Sequence, residues 1–142
     1  MTDNLSPGRL SGILQRHSPH FDARPQNEAI SLVVLHFISL PHGCFSGEDV
    51  EQLFMGTLQT DRPEYASLQG LRVSSHFFIR RSGEVRQYVD VFERAWHAGL
   101  SNFRGRDACN DFSVGIELEG TEAQPFEAQQ YEALGALLKR LS

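Results

Sequence analysis

Residues 32–38 read LVVLHFI, an apolar run that only His36 interrupts. A continuous apolar run rich in valine and isoleucine is typical of a strand that is covered on both faces. The tripeptide Pro41-His42-Gly43 follows and favours a turn. We therefore predict a central β-strand over residues 32–38, with a histidine close to its end.

Two helices are predicted from apolar residues that recur every three or four positions. A short helix follows the first strand, behind an acidic first turn, and its apolar positions are Val50, Leu53 and Phe54. A long helix runs from about residue 126, with acidic residues early and Lys139-Arg140 late, as the helix dipole favours. Its apolar stripe still continues at Ser142 without a Gly or Pro stop signal, so we expect the domain to extend beyond this chain.

Three further strands are predicted from alternating and apolar runs. Residues 73–81 and 84–89 form a hairpin whose tight turn is at Ser82-Gly83. Residues 113–118 form another strand, and its alternation places Glu117 and Glu119 on the side opposite the apolar residues.

The length and composition favour one domain, because 142 residues with 40% apolar content can bury a single core. Residues 1–30 contain three prolines among polar residues and are predicted to be an irregular N-terminal arm packed on the domain. The histidines of this arm, His17 and His20, are expected at the surface. Residues 31–142 would form the domain itself.

Charge and cysteine usage narrow the class of protein. A net charge of -5 gives no electrostatic reason to expect nucleic acid or a membrane surface as a partner. The first 15 residues lack the basic and apolar regions of a signal peptide. Cys44 and Cys109 fit reduced thiols in a cytoplasmic protein, although a single bridge between them stays open.

Several side chains could carry chemistry, and each also has a purely structural interpretation. His36 could bind zinc as a neutral imidazole, or it could be a core histidine bonded to a carbonyl group. His76 is expected to pack in its strand. Glu117 could accept a proton from water, or it could belong with Glu119 to a solvated strand face. The pair Trp96-His97 offers an aromatic wall and a hydrogen-bonding ring, as carbohydrate sites often do, or it could lie in the core.

Other catalytic patterns are weak in this sequence. It contains no G-x-S-x-G, no H-E-x-x-H and no phosphate-binding loop. A glycosidase could pair Glu117 with a second acid, but the spacing of residues along the chain does not give the distance that this mechanism requires.

Five blocks of sequence, taken in order, closely resemble the AmpD-type 1,6-anhydro-N-acetylmuramyl-L-alanine amidases. Together they span nearly the whole chain, which is more specific than any single motif. They are residues 18–25 (SPHFDARP), 34–41 (VLHFISLP), 73–77 (VSSHF), 94–99 (RAWHAG) and 109–120 (CNDFSVGIELEG).

This resemblance implies an α/β fold in which helices flank a mixed central β-sheet, shared with the peptidoglycan-recognition proteins. It also implies a zinc hydrolase that cleaves the amide between the lactyl group of muramic acid and L-alanine, in cytoplasmic cell-wall recycling. By the same resemblance, His36 would be a zinc ligand and Glu117 the acid/base partner of the reacting water. Trp96 and His97 would line the groove for the muropeptide, and Arg72 would be a further contact.

The chain departs from the family pattern in two places. Phe37 stands where these amidases commonly have asparagine. The family also continues into a segment of the type T-G-H-x-x-I-A-P-x-R-K-x-D-P-G, which supplies a second zinc histidine, a lysine and an acidic ligand, and these 142 residues do not contain it. Strand alternation gives no support for a replacement site built from His36, His76 and His97.

We therefore expect a C-terminally incomplete amidase domain, monomeric, with a muropeptide as its partner and with zinc bound weakly or not at all. A non-catalytic muropeptide-binding module is the main alternative. An unrelated metal-binding or structural protein is the third interpretation.

Overall fold

The computed structural model describes residues 5–142, and within that range it contains nine strands and two α-helices. The helices are α1 (Asp49–Met55) and α2 (Ala128–Leu141). The strands are β1 (Leu14–Gln15), β2 (Phe21–Ala23), β3 (Leu32–Ile38), β4 (Phe77–Ile79), β5 (Val85–Gln87), β6 (Glu93–Ala95), β7 (Asn102–Phe103), β8 (Arg106–Asp107) and β9 (Ser113–Glu119). Both predicted helices, the predicted hairpin and the other two predicted strands are present.

Five of the strands form a mixed sheet in the order β1-β5-β4-β9-β3. The hairpin β4–β5 is antiparallel, whereas β1 runs parallel to β5 and β9 runs parallel to both β4 and β3. Helix α1 packs on one face through the cluster that contains Phe54, Phe78 and Tyr88. Helix α2 packs on the other face through Leu134 and Leu137. The prediction of a mixed sheet flanked by helices is therefore confirmed.

Strand β3 does not occupy the central position that its apolar sequence predicted. Within residues 5–142 it lies at the edge of the sheet, and Leu35 and Phe37 are each 50% exposed. Strand β9 is fully buried instead, because it lies between β3 and β4 with α2 over one face. The interpretation of residues 32–38 as a central strand covered on both faces was wrong for this part of the chain.

The segment before β3 is fastened to the domain at several points, and residues 1–4 of the predicted arm lie outside the described range. Strand β1 joins the sheet beside β5, and β2 pairs with β6, so the segment is not wholly irregular. His20 is 8% exposed, which contradicts its expected surface position, because it packs between α1 and Trp96. The domain boundary at residue 30 stays a prediction.

The helices and the cysteines can also be compared with the sequence-based expectations. Neither helix found in residues 5–142 is long and apolar enough to cross a membrane. Cys44 is exposed, Cys109 is buried, and both are free thiols.

Candidate active site

The candidate site lies on the sheet face opposite α2, where β3 and β9 run side by side. In the parallel register, His36 is the direct neighbour of Glu117, and Glu117 is in turn the neighbour of Phe78 on β4. Because paired residues of parallel strands project to the same face, the imidazole and the carboxyl group share one surface. The strand alternation that brings Ile116 and Leu118 to α2 therefore also brings Glu117 to His36.

His97 reaches this surface from the segment that follows β6. Its Nδ1 lies 2.9 Å from Nε2 of His36, and its Nε2 lies 3.1 Å from Oγ of Ser113 at the start of β9. The backbone is fixed as well, because Oδ1 of Asn110 accepts the N–H groups of His97 and Ala98. Sequence alternation had not suggested that His36 and His97 touch.

Gly115 makes the position of the His97 ring possible. A Cβ atom at this glycine would lie 2.4 to 2.8 Å from the Cγ, Cδ2 and Nδ1 atoms of His97, which is closer than such atoms ever approach. The ring therefore packs directly on the backbone of β9. A side chain at position 115 would separate the two imidazoles.

The substitution Gly115→Ala is expected to break the contact between His36 and His97 and to destabilise the protein by about 1–3 kcal/mol, the usual cost of overpacking. Histidine ring NMR resonances and urea denaturation measure the two effects. Gly135→Ala in α2 is the matched control, since a Cβ there meets no atom within 4 Å and alanine stabilises a helix by up to about 1 kcal/mol. Unchanged His36 and His97 resonances in Gly115→Ala would contradict the packing argument.

All three histidines near the sheet are held in the neutral form. Burial lowers the pKa of His36. Burial also lowers the pKa of His97 to about 3, helped by the repulsion that a protonated His97 would meet from Arg24 and from any proton on His76 or His36. Burial also lowers the pKa of His76 to about 4. Neutral imidazoles have a free ring nitrogen that can accept a hydrogen bond or bind a metal.

His76 has a structural role, as predicted. It is fully buried just before β4, and its Nδ1 accepts the N–H of Gly115 at 3.0 Å. Its Nε2 must then carry the proton, and it donates to the carbonyl oxygen of Glu93 at 2.9 Å. Both ring nitrogens are used, so His76 has no free nitrogen for a ligand.

The two glutamates on this face of β9 have different surroundings, and neither is solvated. Glu119 is 2% exposed and accepts hydrogen bonds from Arg80 at 3.0 Å and from the N–H of Arg81 at 3.0 Å. Glu117 is 8% exposed, and its Oε1 has no hydrogen-bond partner within residues 5–142. Burial raises the pKa of Glu117 to about 8. A carboxyl group with such a pKa can both take up and release a proton near neutral pH.

Trp96 precedes His97 in the chain and is anchored to the N-terminal segment. Its indole N–H donates to Oδ1 of Asp22 at 3.2 Å, and its ring stacks on His20 with 6.0 Å between centroids and an interplanar angle of 14°. The indole is only partly buried. Asp22 and His20 belong to one of the five quoted blocks, but sequence reasoning gave them no role.

Arg72 is exposed and lies apart from the imidazole pair. It lines a cavity of about 190 Å³ together with His20, Gly56 and Gly70, and neither His36 nor Glu117 lines that cavity. One of the residues that line this cavity, His20, also contacts Trp96.

The described residues do not fit the zinc ion that the resemblance implies. A catalytic zinc takes three protein ligands and a water molecule. In the part of the chain from residue 5 onward, no three His, Cys, Asp or Glu side chains come together in a way that could hold a metal. His36 contributes one imidazole, and the nearest imidazole, His97, already uses its other nitrogen on Ser113. Residues 5–142 by themselves therefore lack the ligand set of a catalytic zinc.

The sequence was compared with protein families and with individual proteins of known function. The sequence profile of the N-acetylmuramoyl-L-alanine amidase family matches residues 26–142. The 1,6-anhydro-N-acetylmuramyl-L-alanine amidase AmpD of Salmonella typhimurium is 52% identical over 125 residues, which cover 87% of this chain and 67% of that protein.

Two solved structures share the fold. A crystal structure of a selenomethionine derivative of AmpD superposes with a TM-score of 0.93 at 48% identity, covering 96% of this chain and 77% of that one. The amidase AmiD from Escherichia coli, in complex with the substrate anhydro-N-acetylmuramic acid-L-Ala-D-γ-Glu-L-Lys, gives a TM-score of 0.54 at 28% identity, covering 83% of this chain and 46% of that one. On the combined strength of the profile, the identity and the shared fold, this chain belongs to the N-acetylmuramoyl-L-alanine amidase family.

Proposed function

We propose that the site recognises muropeptides and acts on the amide between the lactyl group of (1,6-anhydro-)N-acetylmuramic acid and L-alanine, in cell-wall recycling. The observation that carries the proposal is Glu117, a buried carboxyl group whose Oε1 has no hydrogen-bond partner among residues 5–142 and which stands beside His36 on the same sheet face. The names of the relatives supply the substrate class. A cytoplasmic setting is part of the proposal, and the free thiols of Cys44 and Cys109 support it.

Hydrolysis of this amide needs proton transfers that Glu117 is suited to make. Water adds to the carbonyl carbon and loses a proton, the C–N bond breaks, and the amine of L-alanine leaves after gaining a proton. The ionised carboxylate can accept the first proton, and the protonated carboxyl group can donate the second. A pKa of about 8 keeps both forms accessible near neutral pH. The partly exposed Trp96 and the neutral His97 would contact the muropeptide, and Arg72 would be a more distant contact.

We further propose that the 142-residue chain binds zinc weakly or not at all and turns over slowly. The reason is that His36 is the one residue of the family's zinc ligand set that these residues contain. The alternative is a module that binds muropeptides without cleaving them. We also expect a monomer with no nucleic-acid or membrane partner, in line with the net charge of -5.

Zinc analysis of the purified chain, together with binding and hydrolysis of anhydro-N-acetylmuramyl-tripeptide, tests these proposals. The expected result is muropeptide binding with sub-stoichiometric zinc and little hydrolysis. Stoichiometric zinc with rapid turnover would show that the weak-zinc proposal is wrong. Failure to bind or cleave the muropeptide, with the protein shown to be folded, would overturn the proposed function. Any residual turnover should fall by about 100-fold or more in Glu117→Gln, because the amide cannot exchange protons.

A further inference from the structure

Trp96 is the single tryptophan of the chain, and residues of the N-terminal segment hold its indole from two directions. Oδ1 of Asp22 accepts the indole N–H at 3.2 Å, and the ring of His20 lies nearly parallel to the indole. One contact fixes the edge of the ring system and the other covers one of its faces. Together they restrict both rotation and tilt of the side chain.

Asp22 is itself held in place. It faces Arg94 in the register of β2 with β6, and it accepts two hydrogen bonds from that guanidinium group, at 2.7 and 2.6 Å. Arg94 donates a third bond to Asp111 at 2.6 Å. The hydrogen bonds from Arg94 hold the pKa of Asp22 below its usual range, so the acceptor stays charged. A paired, bidentate carboxylate has little freedom to release the indole.

The side chain and the backbone of His20 are also held by hydrogen bonds. It is 8% exposed, and its Nδ1 must donate to the carbonyl oxygen of Val73, at 2.9 Å, because a carbonyl can only accept. The carbonyl oxygen of His20 accepts the hydroxyl of Ser74, and the same hydroxyl oxygen accepts the backbone N–H of Trp96 at 3.1 Å. The stacking partner and the backbone of Trp96 thus share one hydrogen-bonded unit.

We infer that Asp22 and His20 are positioning residues that hold the Trp96 indole as a preformed platform for the sugar ring of a muropeptide. The inference rests on the proposed function, since the muropeptide supplies the sugar. His20 occupies one face of the indole, so the apolar C–H face of the sugar packs on the other. A flat, rigid aromatic ring contributes contact area at little cost in conformational entropy, provided that it is already oriented.

The test compares two probes, anhydro-N-acetylmuramyl-tripeptide and the same tripeptide without the sugar. Asp22→Ala is expected to weaken binding of the sugar-containing probe by about 5- to 10-fold, the loss typical of one oriented contact. Asp22→Asn keeps an oxygen acceptor for the indole but loses one of the two bonds from Arg94, so its loss of binding should be smaller than that of Asp22→Ala. Binding of the bare tripeptide should be the same in all of these proteins. Glu28→Gln is the matched control. Glu28 lies in the same N-terminal segment as Asp22, but its ion pair is with Arg106 and it does not contact Trp96.

A second readout does not depend on the ligand. The indole ¹H–¹⁵N resonance and the quenching of fluorescence by acrylamide report on Trp96 alone, because the chain has no other tryptophan. Asp22→Ala should shift the resonance and increase quenching, Asp22→Asn should do so to a smaller extent, and Glu28→Gln should leave both signals unchanged. If Asp22→Ala does not fold, as judged by circular dichroism, His20→Ala with His20→Phe as its flat-ring control makes the same comparison.

The outcomes separate the inference from the function on which it rests. An unchanged indole resonance in Asp22→Ala would overturn the positioning role, whatever the wild-type protein binds. Equal weakening of the two probes would overturn the assignment of the platform to the sugar. If the wild-type protein binds neither probe, the proposed function fails and the sugar assignment fails with it, while the resonance still decides the positioning role.

Discussion

Glu117→Gln is expected to make the metal-free protein more stable by several kcal/mol at pH 9 and to leave its stability at pH 4 almost unchanged. The folded protein has a Glu117 pKa of about 8, whereas the unfolded chain has the ordinary value of about 4.5. Between these two values the folded state keeps a proton that the unfolded state has lost. The free energy of unfolding therefore falls as the pH rises from about 4.5 to 8 and is level beyond that range.

The size of this effect follows from the shift itself. Each unit of pKa corresponds to about 1.36 kcal/mol, so the shift of Glu117 amounts to about 5 kcal/mol in full. Glutamine has nearly the same shape and never ionises, so the variant should lose this part of the pH dependence. The carboxyl group thus lowers stability at high pH, which is the kind of cost expected if Glu117 has the proposed catalytic role.

Urea denaturation of both proteins at pH 4, 7 and 9, in the presence of a chelator, measures the difference. Glu119→Gln is the matched control from the same strand face. Because Glu119 is paired with Arg80 in a buried site, its replacement should destabilise the protein at neutral pH, which is the opposite sign. Parallel stability curves for wild type and Glu117→Gln would show that Glu117 does not hold its proton in the folded protein.

Arg24→Ala is expected to lower the free energy of unfolding by about 3 kcal/mol. The guanidinium group of Arg24 donates to four backbone carbonyl oxygens, those of Asn110 and Asp111 through Nη1 and those of Val91 and Ser113 through Nη2, at distances of 2.8 to 3.2 Å. One side chain thus connects the N-terminal segment to Val91 and to residues 110–113, at the start of β9. Its loss leaves several partly buried carbonyl groups without a donor, which is costly.

Chemical denaturation at pH 7 checks this expectation. Arg24→Lys should recover only part of the loss, because an ammonium group cannot serve four acceptors that are arranged around a planar fork. Arg16→Ala is the control from the same segment, since Arg16 forms a single ion pair with Glu51 near the surface and should contribute less than about 1 kcal/mol. Equal losses in Arg24→Ala and Arg16→Ala would refute the role of the four carbonyl contacts.

Both helices and the strands β3, β4, β5 and β9 could be predicted from periodicity, because alternation and helical spacing are local properties of a sequence. The shorter strands β1, β2, β6, β7 and β8 span only two or three residues, too few to show a period, and were not predicted. The position of β3 could not be predicted either. An apolar run looks the same whether a strand is enclosed or has two large side chains half exposed, as Leu35 and Phe37 are here. Burial on both faces depends on what lies beside a strand, and the order of strands in a sheet is not encoded locally.

The candidate site was predictable only in part. The resemblance singled out His36 and Glu117, and the structure places them side by side, although their roles stay predictions. The contact of His36 with His97, made possible by Gly115, and the anchoring of Trp96 by Asp22 had no signal in spacing. These partners are 61 and 74 residues apart, and only the folded topology brings them together.

The docking of the N-terminal segment has a consequence for the order of folding. Its contacts with Arg94 and with Gln87 join residues 72 positions apart, whereas β4 and β5 are joined by a short turn. Closing the long loops costs more entropy than closing the hairpin. The hydrogen bonds that offset this cost can form only after β5 and β6 are in place. We expect the segment to dock late, so that Trp96 acquires its final orientation after the sheet has formed.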